Sequence, residues 1–194
     1  MESLDHIRMR LKRLLVIAHP DDESLFAGGL LLRYPGDWTV VCCSIPYNEP
    51  IRAWNFFRAC DALGAHGRLL PWPEQRNAPL ERLELVDPLM EAADLVVTHG
   101  AAGEYGHPGH ISVHKHVARR FSQKALFIGY RRQGRGRHVL QLNDLEWQKK
   151  LNAIRCFNRE VRWEGRTMPA HEALLMQYHT PGLFDLRCES YDTI

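Results

Sequence analysis

The chain has 194 residues, 45% of them hydrophobic and 25% charged, with a formal net charge of +2; these proportions are ordinary for a globular protein and give enough chain to bury a sizeable core. The near-neutral balance argues against a nucleic-acid partner, and no apolar run approaches the roughly 20 residues of a membrane-spanning helix. Five cysteines without a Cys-x-x-Cys pair read as reduced core residues, and the polar stretch Met1 to Lys12 lacks the apolar segment of a secretory signal, so a cytoplasmic location is expected.

In chain order the patterning predicts strand 14–18, helix 23–33, strand 38–44, helix 50–63, strand 67–70, helix 80–92, strand 94–98, helix 109–121, strand 125–130, helix 144–157 and a short terminal strand. Strands alternating with helices argue an α/β fold: a single domain over 1–194, a Rossmann-like three-layer sandwich with a mostly parallel sheet. No GxGxxG follows the first strand, so a dinucleotide site lacks its phosphate cradle.

The first strand, Leu14 to Ile17, runs into Ala18-His19-Pro20-Asp21-Asp22-Glu23. A histidine and three acids in one strand-to-helix turn make poor neighbours unless a cation sits among them. Imidazole and carboxylate are standard zinc ligands, and strand carboxyl ends are where sites lie in open α/β sheets. The competing reading is a solvated loop whose acids favour a helix N-terminus. Asp21 and Asp22 are adjacent, so their side chains leave the backbone in different directions. One can hold a metal while the other faces water as a general base.

The strand Asp94 to Thr98 likewise ends in a glycine-rich loop with histidines, Gly100 to His110, before a helix. Pro108 suits a first helical turn. The two loops can converge on one site, this one supplying a third protein ligand and leaving a fourth zinc position open. His107, one turn before His110, is placed to stabilise an oxyanion. His110 and His114 also share the HxxxH spacing that puts two histidines on one helical face, which leaves a different ligand set open. Glu23 is expected to serve the helix N-terminus or a hydrogen bond to a ligand histidine.

At these two loops the sequence resembles the PIG-L/LmbE-like family of zinc-dependent N-deacetylases, whose signatures are A-H-P-D-D-E after a strand and a later H-P-D-H run. The first is complete as Ala18 to Glu23; the second appears as His107-Pro108-Gly109-His110. Arg52, Ala59 and Leu63-Gly64 look like the family's R-x-x-E-x-x-x-A-x-x-x-L-G helix, Thr98-His99 like its T-H strand end, and Lys150 to Ile154 and Phe184 to Tyr191 like its closing helix and last strand. The resemblance implies one zinc ion per chain held by His19, Asp22 and His110, with Asp21 as general base and His107 polarising the substrate carbonyl. It implies Arg52 and Tyr105 as substrate-binding residues. Gly109 replaces the usual acid between the paired histidines, and Asn55 stands where the family has Glu.

The resemblance implies removal of an N-acetyl group from an amino sugar, and Arg52 with the arginines of 131–137 favours a phosphate-, nucleotide- or lipid-linked sugar over the free one. The alternatives are a metal amidase on another N-acyl compound and a noncatalytic α/β ligand-binding module. Four arginines between Tyr130 and His138 read as a phosphate clamp or a solvated hairpin, and Trp72 as a sugar-stacking or a packing residue. A homo-oligomer is left open.

Overall fold

The computed structural model describes residues 11–45, 49–73, 77–129, 137–179 and 185–193. Its strands are β1 (Arg13–Ile17), β2 (Trp38–Cys42), β3 (His66–Leu69), β4 (Leu95–Thr98), β5 (Ala125–Ile128), β6 (His138–Gln141), β7 (Glu160–Trp163), β8 (Arg166–Pro169) and β9 (Cys188–Asp192). Its helices are α1 (Asp22–Phe26), α2 (Gly28–Arg33), α3 (Pro50–Ala62), α4 (Asp87–Ala92), α5 (Pro108–Phe121), α6 (Asp144–Ile154) and α7 (Ala170–Tyr178), with a kinked helical turn at Gly103–Gly106.

Seven strands form one sheet in the order β3-β2-β1-β4-β5-β9-β6. β1 pairs in parallel with both β2 and β4, and β4 with β5, while β9 runs antiparallel to β5 and β6. The expected mostly parallel sheet is therefore present. Side chains alternate across the pleat of β1. Leu15 and Ile17 pack on Leu25, Phe56, Ala153 and Ile154 from α1, α3 and α6, whereas Leu14 and Val16 pack on Met90, Val113 and Val117 from α4 and α5. Helices thus cover both faces. Chain order reverses between β1 and β4, which creates a crevice beyond their carboxyl ends.

Several elements depart from the sequence expectation. The helix expected over 23–33 breaks at Ala27 (φ −135°), and α2 starts afresh with its Gly29 and Leu30 N–H groups donating to the buried Glu189 carboxylate on β9 at 2.6 and 2.8 Å. A Cβ on Gly29 would come within 2.9 Å of that carboxyl, which excludes larger residues. Lys150 and the Tyr191 hydroxyl complete the cluster, each donating to Glu189 at 2.6 Å. The helix expected over 80–92 is a 3-10 turn, Leu83–Val86, followed by α4, because Pro88 near the start of α4 has no N–H to continue an earlier helix. The β7–β8 hairpin and α7 were not expected; the hairpin turns on Glu164 and Gly165, both with positive φ, and glutamate is a weak signal for such a turn. Trp72 packs beneath the Arg82 guanidinium, 4.2 Å from its ring centroid. The Pro46-Tyr47-Asn48 turn, the arginine-rich segment from Tyr130 to Gly136, and Phe184 lie outside the described residues.

Candidate metal centre

The two motif loops meet at the crevice between β1 and β4. His19, Asp21 and Asp22 follow β1; His99 follows β4; Glu104 and Tyr105 lie in the kinked turn; His107 and His110 begin α5. Pro20 and Pro108 stiffen the two turns, and Asp21 carries a positive φ of 116° that few non-glycine residues adopt. The Asp21 amide donates to Glu23 Oε2 at 3.0 Å, so Glu23 supports the turn and bonds no histidine.

The predicted ligand atoms converge. His19 Nδ1 lies 3.2 Å from His110 Nε2 and 3.5 Å from Asp22 Oδ2, and His110 Nε2 lies 3.4 Å from Asp22 Oδ1. Tetrahedral bonds of about 2.0–2.1 Å place neighbouring donor atoms about 3.3 Å apart, and these pairwise spacings are compatible with a zinc-sized ion. All three side chains are buried. His107 can join His19 and His110 in an alternative cluster, as can His99 with Asp22 and His110. His99, however, has both ring nitrogens engaged: Ala18 N–H donates to Nε2 and Nδ1 donates to Glu104 Oε2, each at 2.9 Å. His114 hydrogen-bonds the His99 carbonyl at 3.0 Å and rests edge-on against Phe127, so the HxxxH alternative does not form.

The electrostatics fit a cation. Burial alone would raise the Asp22 carboxyl, but His110, through its charge and a hydrogen bond, and a hydrogen bond from His19 hold it well below the usual carboxylate range. Burial opposes charge on His110, yet Asp22 and Glu104 overcome it and raise its pKa to about 10. Two carboxylates among buried imidazoles draw positive charge, which a proton or a metal supplies. Asp21 behaves differently: burial pushes it up to about 6, with Arg52 opposing. Arg52 Nη2 donates to Asp21 Oδ2 at 3.0 Å, and Arg52 Nε to the Pro20 carbonyl at 3.2 Å. The predicted substrate-binding arginine is thus engaged with the predicted base. Among the described residues no carboxylate hydrogen-bonds His107; its Nδ1 accepts the Gly109 N–H at 3.1 Å, and burial pushes it down to about 4. That leaves a neutral ring with an Nε2–H. A Cβ on Gly109 would come within 3.0 Å of the His19 ring and 3.2 Å of His107 Nδ1, so glycine permits the close T-shaped approach of His19 to His107.

A cleft of about 270 Å³ opens over this centre. His19, Asp21, Arg52, Tyr105 and His107 form its floor. Its far wall is the β7–β8 hairpin and α7, with Arg159, Arg162, Trp163, Leu174 and Tyr178. Tyr105 packs on Tyr178 with ring centroids 5.3 Å apart and stands edge-on to His107. Asn55, buried on α3, also lines the cleft, and its Nδ2 has no hydrogen-bond partner among the described residues. Sequence reasoning missed Glu104, Tyr178 and the arginine wall. An acid five residues after His99 and six before His110 was the one available signal for Glu104.

Residues 14–121 match the family profile of the GlcNAc-PI de-N-acetylases, PIG-L. The chain is 32% identical over 150 residues to the 1D-myo-inositol 2-acetamido-2-deoxy-alpha-D-glucopyranoside deacetylase of Actinosynnema mirum, covering 53% of this chain and 52% of that protein. The protein of the same description from Thermobifida fusca is 28% identical over 156 residues, covering 58% of this chain and 54% of its own. The chain thus spans about half the length of these curated relatives. Among solved structures, GalB, the 4-carboxy-2-hydroxymuconate hydratase of Pseudomonas putida, superposes with a TM-score of 0.59 at 18% identity over 95% of this chain and 96% of that one. A deacetylase of the teicoplanin biosynthesis pathway superposes with a TM-score of 0.56 at 18% identity, over 75% and 83% of the two chains. Both likenesses concern the fold.

Proposed function

We propose, for a chain that belongs to the PIG-L family of GlcNAc-PI de-N-acetylases, that it is a zinc-dependent hydrolase that removes an N-acetyl group from an amino sugar. The observation that carries this reading is the convergence of His19 Nδ1, Asp22 and His110 Nε2 at tetrahedral spacing, with Asp21 beside them on the cleft floor. Fold alone does not choose the reaction, since a hydratase shares it.

His19, Asp22 and His110 would hold the ion. A bound zinc would polarise the amide carbonyl and acidify the attacking water. Asp21, poised near neutrality and held by Arg52, would take the water proton and return it to the departing nitrogen as the C–N bond breaks, releasing acetate and a free amine. His107 would donate its Nε2–H to the carbonyl oxygen as negative charge develops there. Tyr105 would form a wall beside the acyl group.

Substrate class is read from the far wall. Arg159 and Arg162 line the cleft beside Trp163, although Arg159 also pairs with Glu49 at 2.8 Å. An arginine fork favours phosphate or carboxylate, and an indole face favours a sugar ring. A phosphate-, nucleotide- or lipid-phosphate-linked N-acetyl sugar fits this wall better than a free sugar. All five cysteines are free thiols, which fits a reducing compartment such as the cytoplasm. The test is a panel of free, phosphorylated and nucleotide-linked N-acetyl sugars, together with an unsaturated polycarboxylate, incubated with the zinc-loaded protein. Free amine from the sugars supports the reading; turnover of the polycarboxylate alone assigns the chain to hydration instead.

A further inference from the structure

Glu104 occupies an unusual place. It is buried to 2% exposure, and its φ of 56° lies where glycine is the ordinary choice. A glutamate held there against backbone strain points to a role for its side chain. The carboxylate is fully used: Oε1 accepts the Gly100 N–H at 2.9 Å, while Oε2 accepts from His99 Nδ1 at 2.9 Å and from His110 Nδ1 at 2.5 Å. His99 and His110 stack with centroids 3.9 Å apart. His99 is fixed from its other side by the Ala18 N–H, on the loop that carries His19 and Asp22.

We propose that Glu104 is the positioning residue of the metal centre: by accepting from both Nδ1–H groups it fixes the tautomer of His110, directs the His110 Nε2 lone pair at the metal, and through His99 ties the β4 loop to the β1 loop. The proposal rests on the metal-binding reading of His19, Asp22 and His110. The logic is that of carboxylate–histidine–metal triads, in which the outer carboxylate sets ring orientation and ligand basicity. The two histidines of the second loop are treated differently. Gly109 leaves His107 without an acid, whereas His110 has Glu104 at 2.5 Å. The loop's one buried carboxylate serves the ligand and not the carbonyl-polarising residue.

Glutamine is the informative replacement. It keeps the volume of Glu104, but its NH2 group is a donor that cannot accept from Nδ1–H. With its oxygen at the Oε2 position it offers both rings only a neutral acceptor and sets its NH2 against the Gly100 N–H, and with the amide turned the other way it sets the NH2 against both Nδ1–H groups. The test is zinc affinity by chelator competition in wild type, Glu104→Gln and Glu104→Gly, with the visible spectrum of the cobalt-substituted protein as a readout of ligand geometry. Loss of an outer-shell partner typically weakens metal affinity 10- to 100-fold; we expect that range for both variants, with a shifted cobalt spectrum in Glu104→Gln. Glu104→Gly restores the residue type that a φ of 56° favours, so weakened metal binding in a well-folded Glu104→Gly separates the carboxylate's role from the backbone's. A Glu104→Gln protein that binds zinc within twofold of wild type, with an unchanged cobalt spectrum, overturns the proposal. If neither variant folds, imidazole nitrogen NMR of zinc-loaded wild type decides. Exchange-protected Nδ1 protons on both His99 and His110 support the proposal, and metal coordination through His110 Nδ1 refutes it. Failure of wild type itself to bind zinc removes the metal reading, an outcome distinct from equal binding by wild type and variant.

Discussion

Asp21 and Asp22 sit side by side, yet burial and neighbours drive them to opposite chemistry. Asp22 faces three histidines and is held well below the usual carboxylate range, as its proposed role of ligand requires. Asp21 faces the cleft and Arg52 and is raised to about 6, as a base that must gain and lose a proton near neutrality should be. Asp21→Asn keeps the shape and removes the basicity. It should retain zinc and lose about 100- to 10,000-fold in kcat, a split read by metal analysis and steady-state rates on the same preparation. His107→Ala should also retain zinc while kcat falls by roughly 100- to 1,000-fold, the cost of one oxyanion donor. Because His107 accepts from Gly109 N–H and is held neutral by burial, His107→Gln, which keeps a neutral donor, should recover part of that loss. Full loss of zinc in His107→Ala would instead make His107 a ligand, in the cluster it can form with His19 and His110.

At the scale of elements, the loops after β1 and β4 were legible from sequence because each strand announces its end with a strong local signal: an apolar run, then charge or glycine. His19, Asp22 and His110 converge as the motifs implied, since β1 and β4 are neighbours and their carboxyl ends share the crevice. The cleft's far wall was not legible. β7, β8 and α7 lie outside residues 14–121, where the family profile matches, and their strands, such as Glu-Val-Arg-Trp, are too short and charged to show a period. The phosphate clamp was assigned to the segment around Arg131 and Arg137; among the described residues the cleft arginines are Arg52, Arg159 and Arg162. Arg162→Ala should raise KM for a phosphorylated N-acetyl sugar by about tenfold or more, the worth of one charge-assisted hydrogen bond, and leave KM for the neutral sugar unchanged. Equal effects on both substrates would remove Arg162 from anion recognition.

The same scale explains why α2 is a separate helix. Glu189 collects two N–H groups from its first turn, with Lys150 and Tyr191, in a fully buried cluster that local sequence patterns do not reveal. Removing one partner strands a charge: Lys150→Met should destabilise the protein by about 3–5 kcal/mol, and adding Glu189→Gln should recover part of it. Denaturant midpoints of the single and double variants check this, and an additive or larger loss in the double would contradict it.

For the molecule as a whole, the sheet order 3-2-1-4-5 at its parallel core places both histidine loops at the point where chain order reverses, so fold and site are one arrangement. Folding assembles the ligand set from residues 91 positions apart, His19 and His110, and the unfolded chain holds no such site. Zinc bound at the proposed site would therefore stabilise the folded state. At a hundredfold excess over Kd the gain is about 2.7 kcal/mol, which should raise Tm by roughly 5–10 °C and vanish on adding chelator. A Tm indifferent to zinc would contradict a preformed centre.

Whether these residues make a zinc-dependent N-deacetylase is decided by stoichiometric reactivation. Chelator-stripped protein is titrated with zinc while free amine released from a phosphate-linked N-acetyl sugar is recorded. The expected result is no release from the stripped protein, a linear rise with added zinc, and a break at one zinc per chain that is absent in His110→Ala. Undiminished amine release from the stripped protein, or the same break in His110→Ala, would contradict it.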